Sequence, residues 1–135
     1  MKAITLKQPW ATLIAEGLKE YEFRSWKINY RGEILIHAGK TVDKEAMERF
    51  KHLDLEYPKS RIVARVIIKD CIKLNDKENK AIIKENPLIY GDINRDGYAW
   101  KHKLIEKINN KEEVLGKQGI WYYNWFFKFA VIKLI

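Results

Sequence analysis

The side chains best suited to chemistry in this chain are three charged residues in one short segment, Lys19, Glu22 and Arg24. Alternate residues of an extended strand share a face, so Glu22 and Arg24 are predicted to lie side by side. A carboxylate can hold a neighbouring guanidinium in a plane that binds a phosphate through two hydrogen bonds or stacks on a base. Lys19 would add a point charge or, if desolvated, a general base. The alternative interpretation is a structural ion pair that closes the fold.

Two further places in the chain are candidates for ligand binding. Trp26 is predicted to lie on the same strand face as Glu22 and Arg24. Its ring either packs in the core or stacks on an unpaired base. Lys117 and Gln118 lie between two glycines, where backbone N–H groups can face an anion. A solvated lysine is the simpler alternative for Lys117.

The overall charge favours an anionic partner. Lys and Arg number 26 against 18 Asp and Glu, which gives a net charge of +8 and a pI of about 9.5. A basic surface attracts nucleic acid because binding releases condensed counterions. The 5 Trp, 7 Tyr and 5 Phe include enough rings for some to stack on bases. A lysine-rich surface also serves solubility, so the charge favours nucleic acid without requiring it.

Several classes of protein are disfavoured by the sequence. Cys71 is the only cysteine, so no disulfide within the chain and no four-cysteine zinc site can form, and a reducing, cytoplasmic location is expected. His37 is expected to be a structural residue, because His52 and His102 are not at metal-binding spacing from it. No signal peptide or membrane span is predicted. We expect no metal, no cofactor and no membrane partner.

The elements that position these residues can be predicted from periodicity and capping signals. A first helix is expected to begin at Pro9, bury Trp10 and stop at Gly17, with Gln8 either facing a cleft or capping that helix. Two more helices are expected after Asp43 and after residue 75 or 76. Strands are predicted over residues 3–6, 19–26, 33–38, 61–74, 98–108 and in the segment 120–135. Five or six strands with two or three helices predict an α+β fold with a small barrel.

Several motifs of this chain, in order, resemble those of the ASCH family. They are Gln8-Pro9-Trp10-Ala11, then Gly17, Lys19, Glu22, Arg24 and Trp26, then Arg31-Gly32, then Ile36-His37-Ala38 with Lys40, then Gly97-Tyr98-Ala99-Trp100, and finally Gly116-Lys117-Gln118-Gly119-Ile120-Trp121. The order and spacing of these motifs extend over most of the sequence. The chain is therefore interpreted as a single ASCH domain spanning residues 1–135.

The resemblance implies a PUA-like β-barrel with a cleft beside its first helix, lined by the segment that contains Lys19, Glu22 and Arg24. It places Lys40 just after a barrel strand, near the cleft, although a solvated lysine would explain this residue equally well. The implied ligand is RNA, ahead of DNA, and a single nucleotide is a further alternative. The oligomeric state is not predicted.

The resemblance also leaves open an enzyme that uses the same cleft. Some small bacterial members of the family, which this chain resembles, are N4-acetylcytidine amidohydrolases, and others look like ribonucleases. The amidohydrolase pattern has a lysine, a threonine three residues later and a glutamate on a downstream strand. Here Lys19 matches, Glu22 stands at the threonine position, and the glutamate position falls near Arg65. If the chain is an enzyme, Lys19 and Glu22 are its candidate catalytic pair. A protein-binding adaptor is a third possibility, for which the sequence contains no motif.

Overall fold

The computed structural model describes residues 1–91 and 93–124 of the 135-residue chain, and these form an α+β fold. Six strands form one sheet: β1 (Lys2–Gln8), β2 (Tyr21–Arg24), β3 (Gly32–Val42), β4 (Arg61–Lys73), β5 (Tyr98–Lys107) and β6 (Ile120–Tyr122). Four short helices connect them, with a 3-10 turn at Lys51–Leu53: α1 (Trp10–Ala15), α2 (Lys44–Arg49), α3 (Asp76–Glu85) and α4 (Pro87–Tyr90). No helix in this part of the chain is long and apolar enough to cross a membrane.

The strand order is β2-β5-β4-β3-β1-β6, and β1–β3 is the parallel pair in an otherwise antiparallel sheet. The predicted α+β class is confirmed. Closure of the sheet into a barrel is not observed, because the edge strands β2 and β6 are not paired with each other within the described ranges. Strand length accounts for this: β6 has three residues and pairs only with Lys2, Ala3 and Ile4, so no other described residue pairs with the outer edge of β1 beyond Ile4.

Alternation along β1 and β3 divides the apolar side chains between the two faces of the sheet. Ile4 and Ile36 point into the main core, whereas Ala3 and Leu35 point to the opposite face and pack with Trp121. A third apolar cluster lies beneath α2, α3 and α4 and includes buried aromatic rings. Its largest members are Tyr21, Phe50 and Tyr90. This third cluster holds the helices against the edge strand β2, which is where the candidate site forms.

Capping side chains set the ends of the helices. The Gln8 side chain accepts a hydrogen bond from the Thr12 backbone N–H at 2.9 Å and donates to the Pro58 carbonyl at 2.8 Å. Gln8 is completely buried, so of its two predicted roles the structure shows the cap. Asp43 and Asn75 cap α2 and α3 as predicted. Gly17 follows α1 with φ +74°, the left-handed conformation that a helix stop favours.

Some boundaries differ from those predicted. The strand predicted over residues 19–26 is shorter, because the chain bends after Arg24. Strand β3 continues to Val42, since β1 pairs with it as far as Gln8, and Lys40 therefore lies within the strand and not after it. Within the described ranges there are four helices, one more than predicted, because Pro87 begins an additional single turn. The last predicted strand segment is described only to residue 124, and the remainder, residues 125–135, lies outside the described part of the chain.

A chain of hydrogen bonds fastens β6 and the segment before it to the sheet. His37 Nε2 contacts the Val114 carbonyl at 2.6 Å, which fixes the proton on that nitrogen and leaves Nδ1 as an acceptor. The Thr5 hydroxyl then donates to His37 Nδ1 at 3.1 Å and accepts from Trp121 Nε1 at 3.1 Å. Burial lowers the pKa of His37, in agreement with a neutral ring. His37 is a structural residue, as expected from the sequence.

A second buried histidine has no such partners. His102 on β5 is 3% exposed, and neither ring nitrogen has a hydrogen-bond partner among the described residues. Burial, assisted by the nearby charge of Lys19, lowers the pKa of His102 to about 3. The ring is therefore neutral in the folded protein at any physiological pH.

We predict that Thr5→Val destabilises the fold by about 1–3 kcal/mol, because it leaves His37 Nδ1 and Trp121 Nε1 without their shared partner. The free energy of unfolding from denaturant titration measures the loss. Thr41→Val is the matched control, since Thr41 is exposed. Equal stability of the Thr5 and Thr41 variants would contradict the role of the hydroxyl.

We also predict that stability falls as pH drops below about 6.5, in part because His102 takes up a proton in the unfolded chain and resists it in the folded one. The loss from this residue is about 1.4 kcal/mol per pH unit between about 6.5 and its folded value. His102→Leu removes that contribution, so its denaturation midpoint should vary less with pH than the wild-type midpoint. His52 is exposed, so the denaturation midpoint of His52→Leu should vary with pH as the wild-type midpoint does. Parallel pH profiles for wild type and His102→Leu would contradict the prediction.

Candidate functional site

The site begins at the gap between the edge strand β2 and the part of β1 that no described residue of β6 pairs with. Arg24, the last residue of β2, donates from Nη2 to the Thr5 carbonyl of β1 at 3.1 Å. Strand β2 is at one end of the strand order and β1 is next to the other end, so one side chain joins two strands that are not paired with each other. The opening around Arg24 is the cleft that the rest of the site lines.

Glu22 is the centre of a compact ion cluster beside this gap. Its Oε1 lies 3.3 Å from Lys19 Nζ, and its Oε2 lies 3.0 Å from Arg24 Nη2. Oε1 also accepts the Phe23 backbone N–H at 3.2 Å. Lys19 donates in addition to the Tyr21 carbonyl. The sequence therefore correctly predicts that Lys19, Glu22 and Arg24 lie together.

Burial and charge act against each other in this cluster. Burial by itself would raise the pKa of Glu22, but the adjacent Lys19 and Arg24 outweigh it and the net direction is downward, so the carboxylate is ionised. For Lys19 burial is the larger effect and lowers the pKa of the ammonium, with Glu22 offsetting part of the shift. Lys19 is 3% exposed, whereas the Arg24 side chain is 25% exposed. Arg24 is thus the cation of the cluster that a ligand reaches most easily.

A cavity of about 440 Å³ extends from this cluster toward the helices, and we call it the aromatic pocket. It is defined by the following cations and rings: Trp10, Lys19, Phe23, Arg49, Tyr90 and Arg95. Lys19 Nζ lies 5.5 Å from the Trp10 ring centroid and 5.2 Å from that of Phe23, within the range of cation–π attraction.

The outer rim of the aromatic pocket carries two arginines. The guanidinium carbon of Arg49 lies 5.7 Å from the Trp10 ring centroid, and that of Arg95 lies 5.6 Å from the Phe23 centroid. Arg49 also donates to the Ile89 carbonyl at 3.1 Å, which ties α2 to α4. Both arginines are exposed residues. They place one positive charge beside the Trp10 ring and another beside the Phe23 ring.

A second cavity, of about 840 Å³, lies on the other side of Arg24, and we call it the glycine-loop pocket. It is defined by Lys40, Ser60, Gly116, Lys117, Gln118 and Gly119. Thr5, Leu6, Lys7 and Arg24 line both cavities, so the two pockets adjoin each other, and we call them together the cleft.

The glycine loop lies tightly against the sheet. A Cβ added at Gly116 would lie 2.7 Å from His37 Nδ1 and would also meet the Thr5 hydroxyl, so a side chain at this position would force the loop away. The close approach presents Lys117 and Gln118 to the pocket and keeps them exposed.

The charge that lines the described part of the cleft has one dominant sign. The aromatic pocket is lined by five cationic side chains, Lys7, Lys19, Arg24, Arg49 and Arg95. The glycine-loop pocket adds Lys40 and Lys117. Glu22 is the one carboxylate among the described lining residues, and Lys19 and Arg24 both engage it. The cleft therefore attracts anions.

Of the residues singled out from sequence, Lys40, Lys117 and Gln118 meet in the glycine-loop pocket, and Arg24 links them to Lys19 and Glu22. Trp26 lines neither pocket. It is 39% exposed, packs edge-on against Trp100 at 4.6 Å, and its carbonyl accepts the Trp100 indole N–H.

Sequence reasoning missed the remaining walls of the aromatic pocket. Trp10 was expected in the core, and its ring does pack on Phe50, but it also faces the pocket. Arg49, Tyr90 and Arg95 come from distant parts of the chain, and the sequence carried only the weak signal that Arg49 precedes an aromatic residue. Among the residues described, no group of three or more His, Cys, Asp or Glu side chains is placed to hold a metal ion.

Comparisons with known proteins agree with this fold. Two similar solved structures are a tyrosine-to-phenylalanine mutant and a serine-to-alanine mutant of ZmASCH from Zymomonas mobilis. The first is 13% identical to this chain, with a TM-score of 0.54, and the comparison covers 98% of this chain and 96% of the other. The second is 14% identical, with a TM-score of 0.51, and the comparison covers 98% of this chain and 94% of the other. At these identities the likeness shows the fold alone. None of the curated proteins compared with the chain matches it significantly. The sequence model of the ASCH domain matches residues 4–134, and the chain therefore belongs to the ASCH domain family.

Proposed function

We propose that this protein binds nucleic acid in the cleft formed by the aromatic and glycine-loop pockets, and that RNA is the ligand in preference to DNA. The observation that carries the proposal is the charge of the cleft, in which the cations of both pockets face one already neutralised carboxylate. A polyanion gains from such a lining through direct contacts and counterion release. The choice of RNA rests on the family.

The aromatic pocket supports the same proposal through a different interaction. Unpaired bases stack on aromatic rings and on guanidinium planes, and each such contact contributes about 1–3 kcal/mol. Trp10 and Phe23 supply rings, with Arg49 and Arg95 beside them. A cleft for a purely inorganic anion would not require these apolar walls.

Arg24 is the residue we expect to contact a phosphate most directly. Its Nη2 is occupied by Glu22 and the Thr5 carbonyl, which fixes the plane of the guanidinium. Nε and Nη1 have no hydrogen-bond partner within residues 1–91 and 93–124. A fixed plane with unused donors suits two hydrogen bonds to one phosphate. Glu22 acts here as a positioning residue for Arg24.

We predict that Arg24→Ala weakens RNA binding and lowers the slope of log affinity against log salt by about 1, as expected for one lost phosphate contact. Fluorescence anisotropy with a labelled RNA across a salt series measures both quantities, and the same sequence in DNA tests the preference. Lys80→Ala is the matched control, because Lys80 is exposed on α3 and lines neither pocket.

Since Arg24 also closes the gap to Thr5, its variant is accompanied by a thermal melt and by Lys117→Ala. Lys117 is exposed and lines the glycine-loop pocket, so its loss should lower affinity without lowering stability. Wild-type affinity and salt slope in both Arg24→Ala and Lys117→Ala would refute binding in the cleft.

A second candidate function is a hydrolase that acts on RNA or on a modified nucleoside. The observation in its favour is the burial of Lys19 in the cleft, which lowers the pKa of its amine. Against it, Glu22 is ionised and held by two cations, so it is poorly disposed to donate or accept a further proton.

We therefore predict that N4-acetylcytidine and a mixed-sequence RNA both remain intact after incubation with the protein, as followed by mass spectrometry. Lys19→Met, which keeps the length of the side chain and removes its charge, is the matched variant. Deacetylated cytidine or shortened RNA that depends on Lys19 would replace the binding-module proposal with an enzyme centred on that residue.

A further inference from the structure

We propose that the cleft holds an RNA strand of at least two nucleotides, with one base inserted in the aromatic pocket and the strand continuing past Arg24 into the glycine-loop pocket. This inference rests on the proposed function and names the class of ligand, a strand in place of a mononucleotide.

The two pockets differ in chemistry. The aromatic pocket has ring walls from Trp10, Phe23 and Tyr90. The glycine-loop pocket is lined mainly by lysines, hydroxyls and glycine backbone, and among the described lining residues its one ring is the buried His37. Ring walls suit a base, whereas lysines and backbone amides suit phosphate and sugar. One nucleotide bound by the rings would leave the second set of groups unused.

The pockets are also joined in a way that fits a chain. Thr5, Lys7 and Arg24 line both, and Arg24 stands at their junction with Nε and Nη1 unpartnered by any described residue. A strand whose base entered the aromatic pocket would have its next phosphate near this junction. Lys40 and Lys117 would then meet the following nucleotide. The volumes, about 440 and 840 Å³, provide more room beyond the junction than inside the aromatic pocket.

Insertion of a base into the aromatic pocket requires that base to be unpaired, because the stacking faces and edges of a paired base lie within the helix. The rim arginines Arg49 and Arg95 lie against the rings at the outer end of the pocket. They are therefore placed to contact the inserted nucleotide itself, whatever the length of the strand. Lys117 is placed to act only on a strand that continues past Arg24.

This separation allows a test by ligand length. Affinities are measured by calorimetry or competition anisotropy for mononucleotides of the four bases and for di-, tetra- and octanucleotides of mixed sequence, at one low salt concentration. We expect the tetranucleotide to bind at least about tenfold more tightly than any mononucleotide. Arg95→Ala should weaken all lengths, Lys117→Ala should weaken the tetranucleotide and leave mononucleotides unchanged, and Lys80→Ala should alter neither.

Both test residues are exposed, so neither substitution threatens the fold. Mononucleotides that bind as tightly as tetranucleotides would overturn this inference and leave the proposed function standing. A Lys117→Ala substitution that weakens the binding of mononucleotides and of tetranucleotides equally would also overturn the inference. If no length of RNA binds at low salt, the proposed function fails together with the inference.

Discussion

The site depends on a sheet that, within residues 1–91 and 93–124, is not closed by backbone pairing. Strand β6 covers only the first part of β1, and β2 ends after four residues, so the edges of the sheet leave an opening. The Arg24 guanidinium spans that opening to the Thr5 carbonyl. A closed barrel would place a hydrogen-bonded ladder where this structure has a cleft. The short strands are therefore as necessary to the site as the charged side chains that line it.

Holding a buried lysine, a glutamate and an arginine together requires compensation for desolvation. Here each oxygen of Glu22 meets a cation, and Oε1 also receives a backbone N–H. Lys19 has a carbonyl and two aromatic faces in addition to Glu22. Because the cluster is satisfied internally, the cleft presents Arg24 in a fixed orientation and retains a strong excess of positive charge. The structural role of Arg24 is therefore compatible with the binding role that we propose for it.

The parts of the site that could be predicted are those encoded by local spacing. Glu22 and Arg24 lie two residues apart in an extended segment, so strand geometry predicts their proximity. The caps at Asp43 and Asn75 and the helix stop at Gly17 are also encoded by residues close together in the sequence. The family motifs predict the fold class.

The remaining features depend on tertiary packing. Arg49 and Arg95 reach one pocket because α2 and the segment before β5 pack around Phe50 and Tyr90, which no short pattern encodes. The meeting of Lys40 with Lys117 depends on the docking of a loop onto Thr5 and His37. Whether the sheet closes depends on where pairing stops, and residue patterns place strand ends poorly. Trp26 illustrates the converse: its spacing predicts the strand face of Arg24, but β2 ends at Arg24 and the Trp26 ring packs edge-on against Trp100.

The two glycines that enclose Lys117 and Gln118 are required for different physical reasons. Gly119 has φ +66° with open space where a Cβ would be, so its constraint is the backbone angle, which asparagine or aspartate also tolerate. Gly116 has no such angle, but the Thr5 hydroxyl and the His37 ring occupy the space that any side chain would need. Among relatives that keep this loop docked as it is here, Gly119 should therefore vary between glycine, asparagine and aspartate, whereas Gly116 should change only together with Thr5 or His37.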